Sequence, residues 1–128
     1  MCIRHDEGVR PTLLIVDDQA DFRGLARRVL SADGFDVVGE AEDGPAAVAA
    51  VSSLRPDVVL LDVQLPGFDG FEVTRRLRVA STAVVVLTSV REREDYGDRV
   101  ERCGAHGFVR KVELSGATVR AAAMGSGR

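Results

Sequence analysis

This sequence predicts a doubly wound α/β domain, with five parallel strands in the order 2-1-3-4-5. Three observations predict it. Five short apolar runs, residues 13–16, 37–39, 58–61, 84–87 and 108–109, alternate with stretches of helical periodicity. The first, third and fourth are rich in Val, Leu and Ile without polar alternation, the pattern of strands buried on both faces of a parallel sheet. Polar or charged residues close four of the five strands: Asp17-Asp18, Asp62, Thr88-Ser89 and Lys111. Right-handed crossovers favour a (βα)5 arrangement, in which ligands bind beyond the carboxyl ends of the strands.

The first helix rests on Phe22, Leu25, Ala26, Val29 and Leu30, one apolar stripe at i, i+3, i+4, i+7 and i+8. Gly34 stands where a C-terminal helix glycine belongs. The second helix opens at Asp43-Gly44-Pro45, with Pro in the first turn. Its stripe is Ala47, Val48, Val51 and Leu54, and Pro56 follows its end. The third starts near Gly70 with Phe71, Val73 and Leu77 inward. The fourth sets Tyr96, Val100 and Cys103 among strong charges and stops near Gly104. The fifth, over 113–124, is poor: Gly116 interrupts it, and its inward candidates are Leu114, Ala117 and Ala121. A short or loosely docked last helix is expected. The predicted organisation is a flexible arm over 1–11, one domain over 12–123, and a flexible tail or linker start over 124–128.

Composition bounds the function. A chain of 128 residues that is 45% hydrophobic and 29% charged can build one domain with a core of its own. No run of about 18 apolar residues offers a membrane span. Residues 1–10 lack the apolar segment of a signal peptide, so a cytoplasmic location is expected. Cys2 and Cys103 make no disulfide framework, and Cys103 reads as a small buried hydrophobe. Two His and two Cys, scattered, make no zinc spacing. A net charge of -3 argues against direct nucleic-acid contact. Arg75, Arg76 and Arg78 cluster on a predicted helix face, which reads as solvated, with a partner surface as the alternative. Of 17 basic residues, Lys111 alone is lysine. A compact ammonium rather than a planar fork is one reason to keep it, although codon bias would give the same count.

The strand ends carry the chemistry. The first and third strands are neighbours in the predicted order, so Asp17, Asp18 and Asp62 converge. Three carboxylates together are costly unless they share a positive charge. A hard divalent cation such as Mg²⁺ takes a few carboxylates and leaves room for phosphate oxygens. Lys111 adds a second cation and the Thr88 hydroxyl a neutral donor. A carboxylate can attack phosphorus and form an aspartyl phosphate. Asp62, central among these groups, is the expected nucleophile, with Asp17 and Asp18 on the metal. Taken singly, each residue has a plainer explanation as a helix cap, turn or surface residue. Four such residues on one edge of the sheet weigh against four coincidences.

These motifs resemble the receiver domains of bacterial two-component response regulators. Leu13-Leu14-Ile15-Val16-Asp17-Asp18 is similar to the family's first motif. The stretch Asp57-Val58-Val59-Leu60-Leu61-Asp62-Val63-Gln64-Leu65-Pro66-Gly67-Phe68-Asp69-Gly70 resembles its phosphoacceptor motif almost throughout. Residues 84–89 and 104–111 resemble the third and fourth motifs, and the resemblance covers roughly residues 12 to 122. It implies a flavodoxin-like fold and a phosphorylatable signalling domain rather than an enzyme acting on other substrates. It implies 4-aspartylphosphate at Asp62, Mg²⁺ (or Mn²⁺) on Asp17, Asp18, Asp62 and the backbone carbonyl of Gln64, and Thr88 and Lys111 on the phosphate. Phe108 matches the switch aromatic that turns inward when Thr88 moves. The implied donor is a phosphohistidine on a sensor kinase or phosphotransfer protein, with a second copy of the chain as a further candidate partner.

Two residues depart from the family pattern. Val112 stands where most members have Pro after the lysine, which leaves the geometry of that loop open. Val90, two residues past Thr88, is apolar where many members are polar, and slow self-dephosphorylation is expected from it. The Asp-Gly-Pro start of the second helix and the missing Pro resemble receivers joined to helix-turn-helix DNA-binding domains, so transcriptional regulation is the expected process. Other classes fit less well. Dehalogenase-type phosphatases carry Asp-x-Asp on one strand, whereas Asp17 and Asp18 are adjacent. A binding adaptor with a dead site would not need the intact set of five. A flavodoxin-like cofactor carrier would need a Ser/Thr/Gly phosphate loop after the first strand.

Overall fold

The computed structural model describes residues 10–125; Cys2, most of the predicted arm and the end of the predicted tail lie outside the described residues. The strands are β1 (Thr12–Val16), β2 (Asp36–Ala41), β3 (Val58–Asp62), β4 (Val84–Ser89) and β5 (Gly107–Arg110). All pair in parallel in the order β2-β1-β3-β4-β5, the predicted topology. The helices are α1 (Ala20–Ala32), α2 (Gly44–Leu54), α3 (Gly70–Ala80), α4 (Arg99–Arg102) and α5 (Gly116–Ala123). Alternate residues along the central strands feed two separate cores. Leu14, Val16, Val59, Leu61, Val85 and Leu87 pack with Ala47, Val51, Phe71, Leu77 and Val100 of α2, α3 and α4. Leu13, Ile15, Val58, Leu60, Val84 and Val86 pack with Ala26, Leu30, Val119 and Ala122 of α1 and α5. Because both faces are covered, the strands need no polar face, and this is why their runs are continuously apolar.

Register is set at the amino edge of the sheet. Asp57 Oδ2 accepts from Thr12 N at 2.8 Å and from Thr12 Oγ1 at 3.1 Å, while Asp57 N donates to Thr12 Oγ1 at 2.9 Å. This clasp pairs Leu13 with Val58, and the following pairs bring Val16 beside Leu61 at the opposite edge. On the next pair of strands Asp62 lies directly opposite Thr88. Helices α2 and α3 both start at capped ends. Asp43 accepts from Ala46 N at 2.9 Å ahead of Pro45, and Asp69 accepts from Glu72 N at 3.1 Å.

Four helices differ from expectation. In α1 and α2 the stripes are narrower: Leu25 and Leu54 are exposed, while Ala26, Leu30, Ala47 and Val51 carry the packing. A helix lying on a sheet buries only the side chains nearest the contact line, so the margins of a stripe stay wet. The fourth helix is broken. A 3-10 turn (Arg93–Tyr96) and α4 are separated by Gly97, whose φ of +59° lies in the left-handed region. Val100 and Cys103 still reach the core, and burial raises the pKa of the Cys103 thiol. The last helix is short, as expected, but well docked on another face. Val119, Ala122 and Ala123 are buried, whereas Ala117 and Ala121 are exposed and Leu114 is half-buried. Gly116 begins α5 rather than interrupting it: Ser115 caps the helix, and Gly116 N donates to Asp33 Oδ2 at 2.7 Å. Arg120 donates to the Asp33 carbonyl at 2.6 Å and stacks over Phe35, tying α5 to the end of α1.

Candidate functional site

Strands β1, β3 and β5 supply their site residues at the carboxyl edge for the same reason. The apolar run ends where the chain leaves the sheet, and the first polar side chain is left between the layers. Asp17 follows β1 and is fully buried. Its amide donates to Ala41 O at 3.0 Å, and its Oδ1 accepts from Gln19 N at 2.8 Å. Asp18, the next residue, is exposed. Asp62 closes β3 and is 4% exposed, with Oδ1 accepting from Gln64 N at 3.2 Å. Lys111 follows β5, stacks over the Phe22 ring at 4.4 Å, and reaches both buried carboxylates. Its Nζ lies 2.7 Å from Asp17 Oδ2 and 3.5 Å from Asp62 Oδ2. The structure thus brings Asp17, Asp18, Asp62 and Lys111 together as the sequence predicts.

One ammonium does not satisfy this site. Asp17 Oδ2 is buried and accepts no hydrogen bond, and it meets the Lys111 ammonium as an ion pair at 2.7 Å. One ligand oxygen from each of Asp17, Asp18 and Asp62 lies within 4.8 Å of the others, a group that could hold a metal ion. A buried carboxylate oxygen that accepts no hydrogen bond, beside two further carboxylates and sharing one ammonium with Asp62, fits a hard divalent cation with oxygen ligands. Burial, and then the charge of Asp17, push the Asp62 carboxyl up to about 6, against the opposing pull of Lys111 and the Gln64 amide.

Thr88 is placed differently. It is fully buried opposite Asp62, but its hydroxyl donates to Val109 O at 2.7 Å, toward β5 rather than into the acidic pocket. Beside it, Ser89 Oγ and Tyr96 OH share a hydrogen bond of 2.7 Å. Tyr96 packs edge-on to Phe71 at 5.4 Å and tilted against Phe108 at 6.1 Å. Phe108 is half-buried on this face, and Val112 is exposed in a single 3-10 turn (Lys111–Glu113).

Gly70 is a supporting residue whose role the sequence did not disclose. A Cβ there would lie 2.4 Å from the Asp62 carbonyl oxygen and 2.8 Å from Val63 Cα. Only glycine lets α3 start this close to the end of β3. Gly70→Ala is therefore expected to destabilise the domain by about 1–3 kcal/mol, the range for forced overpacking against backbone. A urea titration of both proteins would read this as a lowered midpoint at unchanged slope.

The sequence pattern of the response regulator receiver domain matches residues 13–122. The chain belongs to this family. The response regulator GacA of Pseudomonas viridiflava is 39% identical over 77% of this chain and 47% of its own length. The transcriptional regulatory protein DegU of Brevibacillus brevis is 37% identical over 85% of the chain and 47% of its own. Among solved structures, the signal receiver domain of the response regulator NarL from Mycobacterium tuberculosis superposes with a TM-score of 0.80. It is 32% identical, covering 93% of this chain and 98% of that one. This receiver spans about half the length of the two curated relatives named here. Among the described residues, no helix is long and apolar enough to cross a membrane.

Proposed function

We propose that this receiver works in the cytoplasm and accepts a phosphoryl group on Asp62 from a phosphohistidine of a sensor kinase or phosphotransfer protein. The observation that carries this reading is the pose of Asp62. It is a buried carboxylate between Asp17 and the ammonium of Lys111, in a pocket with more negative charge than its one lysine offsets. In the transfer an Asp62 oxygen attacks phosphorus, the bond from phosphorus to the histidine nitrogen breaks, and that nitrogen keeps the electron pair. A carboxyl titrating near 6 is mostly ionised at neutral pH, as a nucleophile must be. Asp17, Asp18, Asp62 and the Gln64 carbonyl would hold Mg²⁺, which when bound neutralises charge on the phosphoryl oxygens. Lys111 does the same from the β5 side.

The readout is a rearrangement of the β4–β5 face. Thr88 donates to Val109 O in the unphosphorylated protein, and a phosphate on Asp62 offers it a stronger, charged acceptor. Movement of Thr88 toward that acceptor vacates the space into which Phe108 turns. Val90, 63% exposed, brings no polar group toward the phosphate, and slow self-dephosphorylation is part of this reading. The relatives' names, a response regulator and a transcriptional regulatory protein, support transcriptional regulation as the process served. Dimerisation of this face would be one route to it.

The test is intact mass after incubation with Mg²⁺ and acetyl phosphate. Wild type gains one phosphoryl group, about 80 Da, and Asp62→Ala gains none. No gain in either would favour an adaptor that never takes phosphate. The chain has one tyrosine and no tryptophan, so Tyr96 fluorescence reports the face directly and changes on phosphorylation of wild type only.

A further inference from the structure

The two acidic residues of the β1–α1 turn are held in very different ways. Asp17 is gripped at its amide, at Oδ1 and, through the ion pair with Lys111, at Oδ2. Asp18 is exposed, and none of the hydrogen bonds or ion pairs among the described residues holds its carboxylate. The direction of Asp18 therefore depends on the plane of the peptide that joins it to Asp17. The oxygen of that peptide accepts a hydrogen bond from Arg23 Nη1 at 2.6 Å.

Arg23 is itself held firmly. Its Nε donates to Glu40 Oε1 at 3.0 Å, and Arg27 Nε holds the other oxygen of Glu40 at 2.7 Å. Glu40 lies on β2, paired in register with Ile15 of β1. One side of the planar guanidinium is thus anchored to the sheet and the other clasps the Asp17 carbonyl. The Arg23 side chain is only 19% exposed. A lysine ammonium has no rigid fork and could not hold both partners in this geometry.

We infer that Arg23 is a positioning residue for divalent-cation binding, fixing the Asp17–Asp18 peptide so that Asp18 meets Asp17 and Asp62 around one ion. This rests on the metal site proposed above. Two effects of Arg23 oppose each other. Its positive charge beside the pocket works against a cation, whereas its grip on the turn works in favour of one. Residues that orient metal ligands are typically worth ten- to a hundredfold in affinity, and the Arg23 charge is already offset by its ion pair with Glu40. Positioning therefore outweighs repulsion here.

The experiment is calorimetric titration of MgCl₂ into the whole chain at fixed ionic strength, for wild type, Arg23→Gln and Arg23→Lys. Circular dichroism melts in EDTA serve as the folding control. Both variants are expected to bind Mg²⁺ about tenfold more weakly while still melting cooperatively. Arg23→Lys keeps the charge and loses the fork, so weakening in that variant separates position from charge. Affinity unchanged in Arg23→Lys, or tightened in Arg23→Gln, overturns the inference and leaves the site reading intact. A wild type that takes up no Mg²⁺ overturns both.

Discussion

Replacing Lys111 with methionine is expected to lower the stability of the metal-free receiver by about 3 kcal/mol at pH 8, the usual cost of removing one partner from a buried ion pair. The ammonium sits between two carboxylates that are almost wholly buried, 2.7 Å from Asp17 and 3.5 Å from Asp62. Methionine fills the stem's volume and keeps its contact with Phe22, so the loss isolates the charge. The sign of the pH dependence follows from Asp62. Lys111 now pulls its carboxyl down from where burial and Asp17 would set it. Without that pull, Asp62 binds a proton at higher pH and the like-charge contact is relieved. The deficit should therefore be largest above pH 7 and shrink as pH falls toward 5, which denaturant melts at several pH values would show. A deficit independent of pH would mean that packing, not charge, is the loss. Phosphoryl uptake from acetyl phosphate should fall by roughly a hundredfold or more, the cost of removing one preorganised charge from a transition state. Arginine should not rescue it, because its fork cannot occupy the place of a compact ammonium.

Asp62→Asn is expected to stabilise the metal-free domain by about 2 kcal/mol at pH 8, a rise in Tm of roughly 5–10 °C. The folded carboxyl titrates near 6, well above its ordinary 3.8. A carboxyl raised by folding binds its proton more tightly in the native state, so ionisation opposes folding. Wild-type stability from this group is complete below about pH 4, falls as pH rises from 4 to 6, and is flat above. Asparagine carries no charge to bury, keeps an acceptor for the Gln64 amide, and should erase that slope. Its amide meets the Lys111 ammonium donor to donor, which trims the gain from the full shift. Added Mg²⁺ should reverse the ranking, since only wild type keeps all three carboxylates for the ion. Equal melting temperatures for the two proteins at pH 8 in EDTA would show that Asp62 bears no burial penalty. A rise in stability on Asp62→Asn would fit a carboxylate kept for the chemistry proposed above rather than for the fold.

The strand order, the helix starts and the acidic strand ends were legible because each has a local cause. Continuous apolar runs mark doubly covered strands, Asp43-Gly44-Pro45 marks the start of α2, and an acid after an apolar run must lie at an edge of the sheet. The lone lysine among arginines also stood out, and it lies between two buried carboxylates that call for a compact cation. Other features had no local cause to read. Which side of α5 faces inward is decided by where Ser115 and Asp33 start the helix, since alanines at 117, 121, 122 and 123 offer no stripe of their own. The break in α4 depends on Tyr96 reaching Ser89 across the end of β4, so a charged, helical-looking segment bends at Gly97 instead of continuing. Thr88 could bond into the pocket or across to β5, and the pairing of β4 with β5 puts Val109 O within reach. Arg23 on the Asp17 carbonyl leaves no sequence signature, because its partner is a backbone oxygen and its anchor, Glu40, belongs to another strand. The sequence by itself determined which residues lie at the carboxyl edge, since that follows from periodicity and side-chain type. The tertiary structure alone decided what each of them bonds, because a hydrogen-bond partner depends on neighbours that only folding brings together.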